Sequence, residues 1–165
     1  MCGGIDLTQV PGIGPLNALS LISEIGTDMS RWPSARHFAS WLALAPNNRE
    51  SGGRLLSSKT RTAPNRAAKV FRLAALNNSR SDNAIAAHYR RLALRIGTPK
   101  AVTATARKIA TIVYTMLKDG RPFVEMGAAV YSERQAKARV KRLSKSAREL
   151  GYRLTPLPTI AQAEP

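Results

Sequence analysis

The sequence has a single cysteine, Cys2, and only two histidines, His37 and His88. One cysteine excludes an internal disulfide, and three soft ligands spread along the chain are too few for a zinc cluster. No apolar run reaches the roughly 18 residues of a membrane-spanning helix. The opening MCGGIDLTQV also lacks the basic end and long apolar centre of a signal peptide. A soluble protein of the reducing cytoplasm is therefore expected. Alternating runs of β-branched and aromatic residues are missing as well, which leaves no expected strands and points to an all-α fold.

Acidic residues are scarce. The chain carries 26 Lys+Arg against 10 Asp+Glu, a formal net charge of +16. Residues 1–58 are neutral, with Arg31, Arg36, Arg49 and Arg54 balanced by Asp6, Glu24, Asp28 and Glu50. All sixteen surplus charges therefore lie downstream of residue 58. So one-sided a field attracts a polyanion by steering and counterion release, which makes nucleic acid the expected partner. At 165 residues and 44% hydrophobic content the chain can still bury a core.

Helical signals run almost end to end. Pro15 suits a first helical position, Leu16, Leu19, Ile22 and Ile25 recur behind it, and Gly26 suits the stop. A second helix begins near Ser34, places Phe38, Trp41 and Leu42 on one face, and must end before Pro46. Trp41 is expected in the core, whereas Trp32 suits either stacking on a base or packing on a neighbour. In APNRAAKVFRLAALNNSR, Val70, Leu73 and Leu76 form an expected apolar face beside a basic one of Arg66, Lys69 and Arg72. The next helix uses Ile85, Tyr89, Leu92 and Ile96 and stops at Gly97. Residues 98–120 follow, with Thr98 as N-cap, Pro99 in the first turn and Gly120 at the end. Val102, Ala106, Ile109, Val113 and Met116 make this the expected central helix, and Arg107 and Lys108 are its candidate nucleic-acid contacts.

The last helix, from Ser132 to Leu150, spaces Ala136, Val140, Leu143, Ala147 and Leu150 as a heptad seam among Lys and Arg. Two heptads suit packing on the chain's own domain or dimerisation equally. The expected organisation is a helical domain over 1–130, a basic amphipathic helix over 131–154 and a disordered tail over 155–165.

Two stretches carry possible chemistry. In PGIG, Gly12 and Gly14 around Ile13 let a tight turn aim N–H groups outward at a helix start, a phosphate nest that reads no bases. An ordinary glycine turn fits the same four residues. With Ala18, Leu19 and Ile22 behind it, the stretch resembles the hairpin and second helix of a helix-hairpin-helix element, its first helix short or missing. In APNNRESGGRLLSSKTR, Ser51 precedes Gly52 and Gly53 and is flanked by Arg49, Arg54, Lys59 and Arg61. A phosphate-attacking hydroxyl needs such exposure and such cations, but locally a serine here reads as a turn former.

Taken in order, VPGIGPLNALSLISEIGTDMSRWPSARHFASWLALAPNNRESGG, KTRTAPNRAAKVFRLAA, RRLALRIGTPKAVTATARKIATIVYTMLKDG and RLSKSARELGYRL resemble the C-terminal domain of the DEDD insertion-sequence transposases of the IS-one-ten/one-sixteen/nine-oh-two type. The resemblance runs from about Leu7 to Leu154. It implies that Ser51 is the recombination nucleophile, forming a transient phosphoserine link to DNA. It implies too that Gly12, Ile13 and Gly14 match the family's helix-hairpin-helix, and that Lys59, Arg61, Arg66, Lys69 and Arg72 belong to a segment touching nucleic acid. The implied partners are DNA at element ends and target, a structured guide RNA, and further copies in a homo-oligomer. Such a protein works on the bacterial nucleoid.

Two departures stand out. Family members carry an N-terminal RuvC-like domain whose acidic residues hold Mg²⁺, and nothing in this sequence corresponds to it. No cofactor is therefore expected on this chain, with Mg²⁺ confined to a RuvC-like domain supplied by another polypeptide. The sequence reads as a truncated product or fragment, inactive alone. Ala63 also replaces an expected glycine in the basic loop. A non-catalytic nucleic-acid-binding module, or a decayed remnant, is the alternative in which Ser51 only shapes a turn. A structural RNA-binding protein leaves the 98–120 helix and the serine loop without a role.

Overall fold

A computed structural model describes residues 4–61 and 65–157 of the chain. Cys2, Ala63 and the tail from residue 158 lie outside the described residues. Among those described, six α-helices and one β-hairpin follow in order. They are α1 (Pro15–Ile25), α2 (Ala35–Trp41), β1 (Arg49–Ser51), β2 (Arg54–Ser57), α3 (Arg66–Asn77), α4 (Ala84–Ile96), α5 (Thr98–Asp119) and α6 (Ala128–Glu149). The all-α expectation holds, with the hairpin as its exception. No described helix is long and apolar enough to cross a membrane.

Local chemistry sets the helix ends. Ser34, Asn65 and Asn83 cap α2, α3 and α4, each side-chain oxygen accepting a backbone N–H of the first turn. Gly26 closes α1 at positive φ. Gly97, also at positive φ, both ends α4 and opens α5. Gly97 is the single residue between the two helices, so Thr98 is the first helical residue rather than the expected cap.

Helix α5 is the hub, packed against α2, α3 and α4. Ala106, Ile109, Val113 and Met116 are buried on it, as the sequence pattern predicts, Val102 is partly buried, and Ala110 joins the buried face. An aromatic cluster closes one end. Phe38 sits 5.0 Å from Trp32, 5.7 Å from Tyr114 and 6.3 Å from Phe71, ring centre to ring centre. Tyr114 donates its hydroxyl to the Trp32 carbonyl at 2.8 Å. Trp32 is thus a core residue, while Trp41, expected inside, is 38% exposed at the cluster's edge.

Two apolar faces differ from expectation for one reason. Residues spaced by three drift about 60° per step around a helix that turns every 3.6 residues. Along α1, Leu16 and Leu19 therefore rotate into solvent, and Leu21 and Ile25 are the buried pair. Along α3, Val70 is buried as expected, but Leu73 and Leu76 are exposed, and the rest of the buried face is Ala67, Ala68, Phe71, Ala74 and Ala75. Alanines let α3 lie close to α1 and α5, and their small side chains made the true face hard to see.

Helix α6 begins at Ala128, earlier than the expected Ser132. It packs on α4, and Tyr131 is the residue it buries. The Glu125 carboxylate accepts the N–H groups of both Ala84 and Gly127 at 2.9 Å, which ties the starts of α4 and α6 together. Farther along, the heptad seam stays open: Val140, Leu143 and Leu150 are all exposed.

Candidate functional site

The stretch around Ser51 is a hairpin, although no strand was expected. Gly52 and Gly53 both take positive φ, +56° and +73°. Such a pair is what a two-residue turn of the I′ kind requires between strands of ordinary twist. Apolar alternation is absent because β1 is exposed along its whole length. The Gly-Gly dipeptide was the one available signal. Beyond the turn the ladder continues through a bridge between Pro46 and Thr60 and an Asn47 N–H to Lys59 carbonyl bond of 3.2 Å.

Register places the chemistry. Ser51 pairs directly with Arg54 across the turn, and Arg49 pairs with Ser57 past an irregularity between Arg49 and Glu50. Directly opposed residues share one face of a sheet, with Cβ atoms about 4.5–5.5 Å apart. Ser51 thus has Arg54 as its cross-strand neighbour, at an exposed turn that glycine leaves unobstructed. Arg49, two residues before Ser51 on the same strand, is also exposed.

The other candidate residues fall into separate places. On α3, Arg66 and Lys69 are exposed and Arg72 is half-buried. Arg61 donates to the Ser40 hydroxyl of α2 at 3.0 Å, which anchors the chain leaving the hairpin. Lys59, Arg107 and Lys108 line an open groove of about 1270 Å³ between α4, α5 and the return strand. Lys100, His88 and Thr103 line it too, none of them selected from sequence. Helical spacing along α5 was the signal that could have found Lys100.

The PGIG turn has a strong packing role. Gly12 lies at φ +87°, and a Cβ there would sit 2.4 Å from Asn78 Nδ2 and 2.5 Å from the Ala74 carbonyl oxygen. Asn78, itself buried, donates to the Pro11 carbonyl and holds the turn against α3. Ile13 is buried, and its N–H is spent on the Val10 carbonyl at 3.0 Å. Of the three candidate residues only Gly14, at the start of α1, is exposed. The element before the turn is a single 3₁₀ turn, Leu7–Gln9.

His88 holds the second polar cluster. Its Nδ1 lies 2.8 Å from the Tyr131 hydroxyl, which also accepts from Arg91 Nε and Nη2 at 3.3 and 3.2 Å. Burial, then the nearby Lys108 and Arg91 charges, push the imidazole down to about 4, so it is neutral at pH 7.

The carboxylates do not converge. Asp6 accepts the hydroxyl and N–H of Thr8, and Asp28 accepts the N–H and hydroxyl of Ser30. These bonds hold both acids below the ordinary aspartate range. No three His, Cys, Asp or Glu side chains gather among the described residues. These residues do not fit a Mg²⁺ site.

Fold and site together define a basic helical domain built around a buried central helix, with a serine presented on a glycine-turned hairpin. A sequence profile described as the Transposase IS116/IS110/IS902 family matches residues 6–90. The chain belongs to this transposase family. It is 32% identical over 116 residues to an uncharacterised protein of insertion element IS110 from Streptomyces coelicolor, covering 69% of this chain and 28% of that protein. It is 38% identical over 88 residues to a protein of the same organism assigned as the transposase of the IS117 mini-circle, covering 52% of this chain and 20% of the relative. The match thus spans well under a third of either relative. No solved structure matches the chain.

Proposed function

We propose that the chain is a DNA-binding strand-exchange domain of a transposase, with Ser51 as the nucleophile. One observation carries this reading: Ser51 sits exposed at a glycine turn with Arg54 directly opposite. In the step, Ser51 Oγ attacks a DNA phosphodiester and a phosphoserine ester forms. The bond from phosphorus to one sugar oxygen breaks, and that oxygen leaves with a proton. Arg54 and Arg49 offset the charge that builds on the phosphoryl oxygens. The serine proton needs a base from outside the hairpin, and Arg66, Lys69 and Arg72 hold the DNA backbone.

In this reading the domain acts beside a RuvC-like nuclease domain, within an oligomer. A structured guide RNA is a further partner in this reading. Without that nuclease domain the hairpin serine would exchange no strands.

The test mixes the full chain with a RuvC-like domain from a close relative, labelled element-end DNA and Mg²⁺. A denaturing gel should show a protein–DNA adduct that Ser51→Ala abolishes, while Arg54→Ala lowers its yield at least tenfold. DNA binding without an adduct refutes the nucleophile, provided that the same nuclease domain forms an adduct with its own intact partner.

A further inference from the structure

The groove beside the hairpin has a chemistry of its own. Its α5 wall is a helical stripe running from Lys100 through Ala104 and Lys108 to Ile112. At 1.5 Å per residue the stripe is about 18 Å long. Leu92 and Ile96 of α4 form the facing wall, and Leu56 of the return strand closes the third side. Among the described residues the apolar lining is aliphatic throughout, with no Phe, Tyr or Trp bordering the groove.

The polar lining is equally one-sided. Lys59, Lys100, Arg107 and Lys108 are its charged groups, with no carboxylate among the described residues that line it. None of the four enters a salt bridge among the described residues. Thr103 and Thr111 donate their hydroxyls to carbonyls of α5 itself, at 3.2 and 3.0 Å. Asn48, Ser57, Ser58 and Thr60 add neutral polar groups on the hairpin side, and the charged donors left for a ligand are the four cations. An aliphatic trough edged by unpaired cations complements a ligand that is aliphatic on one side and anionic at its margins. Single-stranded nucleic acid would look for aromatic platforms on which to stack its bases, and this lining offers none beyond the imidazole of His88.

We infer that the groove between α4, α5 and the return strand is a docking site for an amphipathic helix about three turns long, its aliphatic face flanked by Asp or Glu. Lys59, Arg107 and Lys108 then belong to a protein interface, separate from the arginines of the hairpin. The inference does not depend on the chemistry of Ser51.

The test titrates the full chain, with Leu and Ile methyls labelled for NMR, with a synthetic peptide of about 14 residues bearing Leu on one face and Glu on its flanks. A second peptide has the same composition with its faces scrambled. The patterned peptide should shift the Leu92, Ile96 and Ile112 methyls and bind at least tenfold more tightly than the scrambled one. Ala104→Arg, which fills the trough, should cost at least tenfold in affinity. If that variant does not fold, Arg107→Glu with Lys108→Glu should give the same loss. Equal binding of both peptides reduces the effect to bulk charge and overturns the inference. Unshifted groove methyls overturn it too, as does a thymidine oligonucleotide that shifts them where the patterned peptide does not.

Discussion

Helices α5 and α6 each run for 22 residues and each carry an aliphatic stripe, yet they end in opposite surroundings. Helix α5 buries eight residues, among them Ile109, Val113, Tyr114 and Met116, whereas α6 buries Tyr131 alone. Charge placement separates them. On α5, Lys100, Arg107 and Lys108 all line the groove, so the opposite side is free to enter the core. On α6, Arg134, Lys137, Arg139, Lys141, Arg142, Lys145 and Arg148 leave no such clear side. Its seam relies on Val140 and Leu143 between alanines, too little apolar area to offset desolvating those cations. A stripe shows which side of a helix can be buried. Whether anything covers it depends on what surrounds the stripe.

The largest effect should come from disturbing α5. Ile109 is fully buried in the hub, so Ile109→Asp would bury a charge with no partner. A loss of at least about 4 kcal/mol is expected, enough to unfold many domains of this size. Circular dichroism should show no cooperative melt. Retained helicity with an unchanged melt would remove α5 from the centre of the fold.

A smaller effect is expected at the clasp joining the two regions. His88 of α4 faces Tyr131 of α6, with Arg91 and Lys108 as neighbouring charges. Its folded pKa is lowered from 6.5 to about 4, so the unfolded chain takes up the proton first as pH falls. Stability should be intact above about pH 6.5, decline from there toward pH 4, and level off below. After discounting for the ring's partial exposure, the loss should be roughly 1 kcal/mol. In melts across this window, wild type minus His88→Gln should trace that decline; a flat difference would mean that the imidazole is freely solvated.

Much of this was legible in the sequence. The helix start near Ser34, stops at Gly26 and Gly97, and the periodicity of Ala106, Ile109 and Val113 are local signals, and local signals marked these helices. The basic field and the exposed serine were also readable, since both follow from composition and turn chemistry. What escaped depends on tertiary neighbours. Leu73 and Leu76 outweigh Ala67 and Ala74 on any hydrophobicity count, yet close approach to α1 and α5 selected the alanines. The hairpin was missed because β1 is solvated on both faces, so no alternation marks it. Gly12 reads as a phosphate nest until Asn78, distant in sequence, is seen resting against it. The groove draws its walls from residues 44 to 112, and no short stretch contains it.

The finest test of the contrast lies on α6, where the smallest change is expected. Val140 and Leu143 are 55% and 49% exposed, so Val140→Ser combined with Leu143→Ser removes apolar atoms that water already reaches. Surface changes of this kind alter stability by no more than about 0.5 kcal/mol, and thermal melts of dilute protein should barely move. The same melts repeated at a hundredfold higher concentration ask whether a second copy covers the seam. An unchanged difference between wild type and the double variant would mark α6 as an arm that stays open in the isolated chain. A wild-type gain of about 1 kcal/mol, lost in the variant, would show that self-association buries the stripe the fold leaves open. The open seam of α6 would then be the missing half of a dimer, and its likeness to α5 would be restored one level up, between chains.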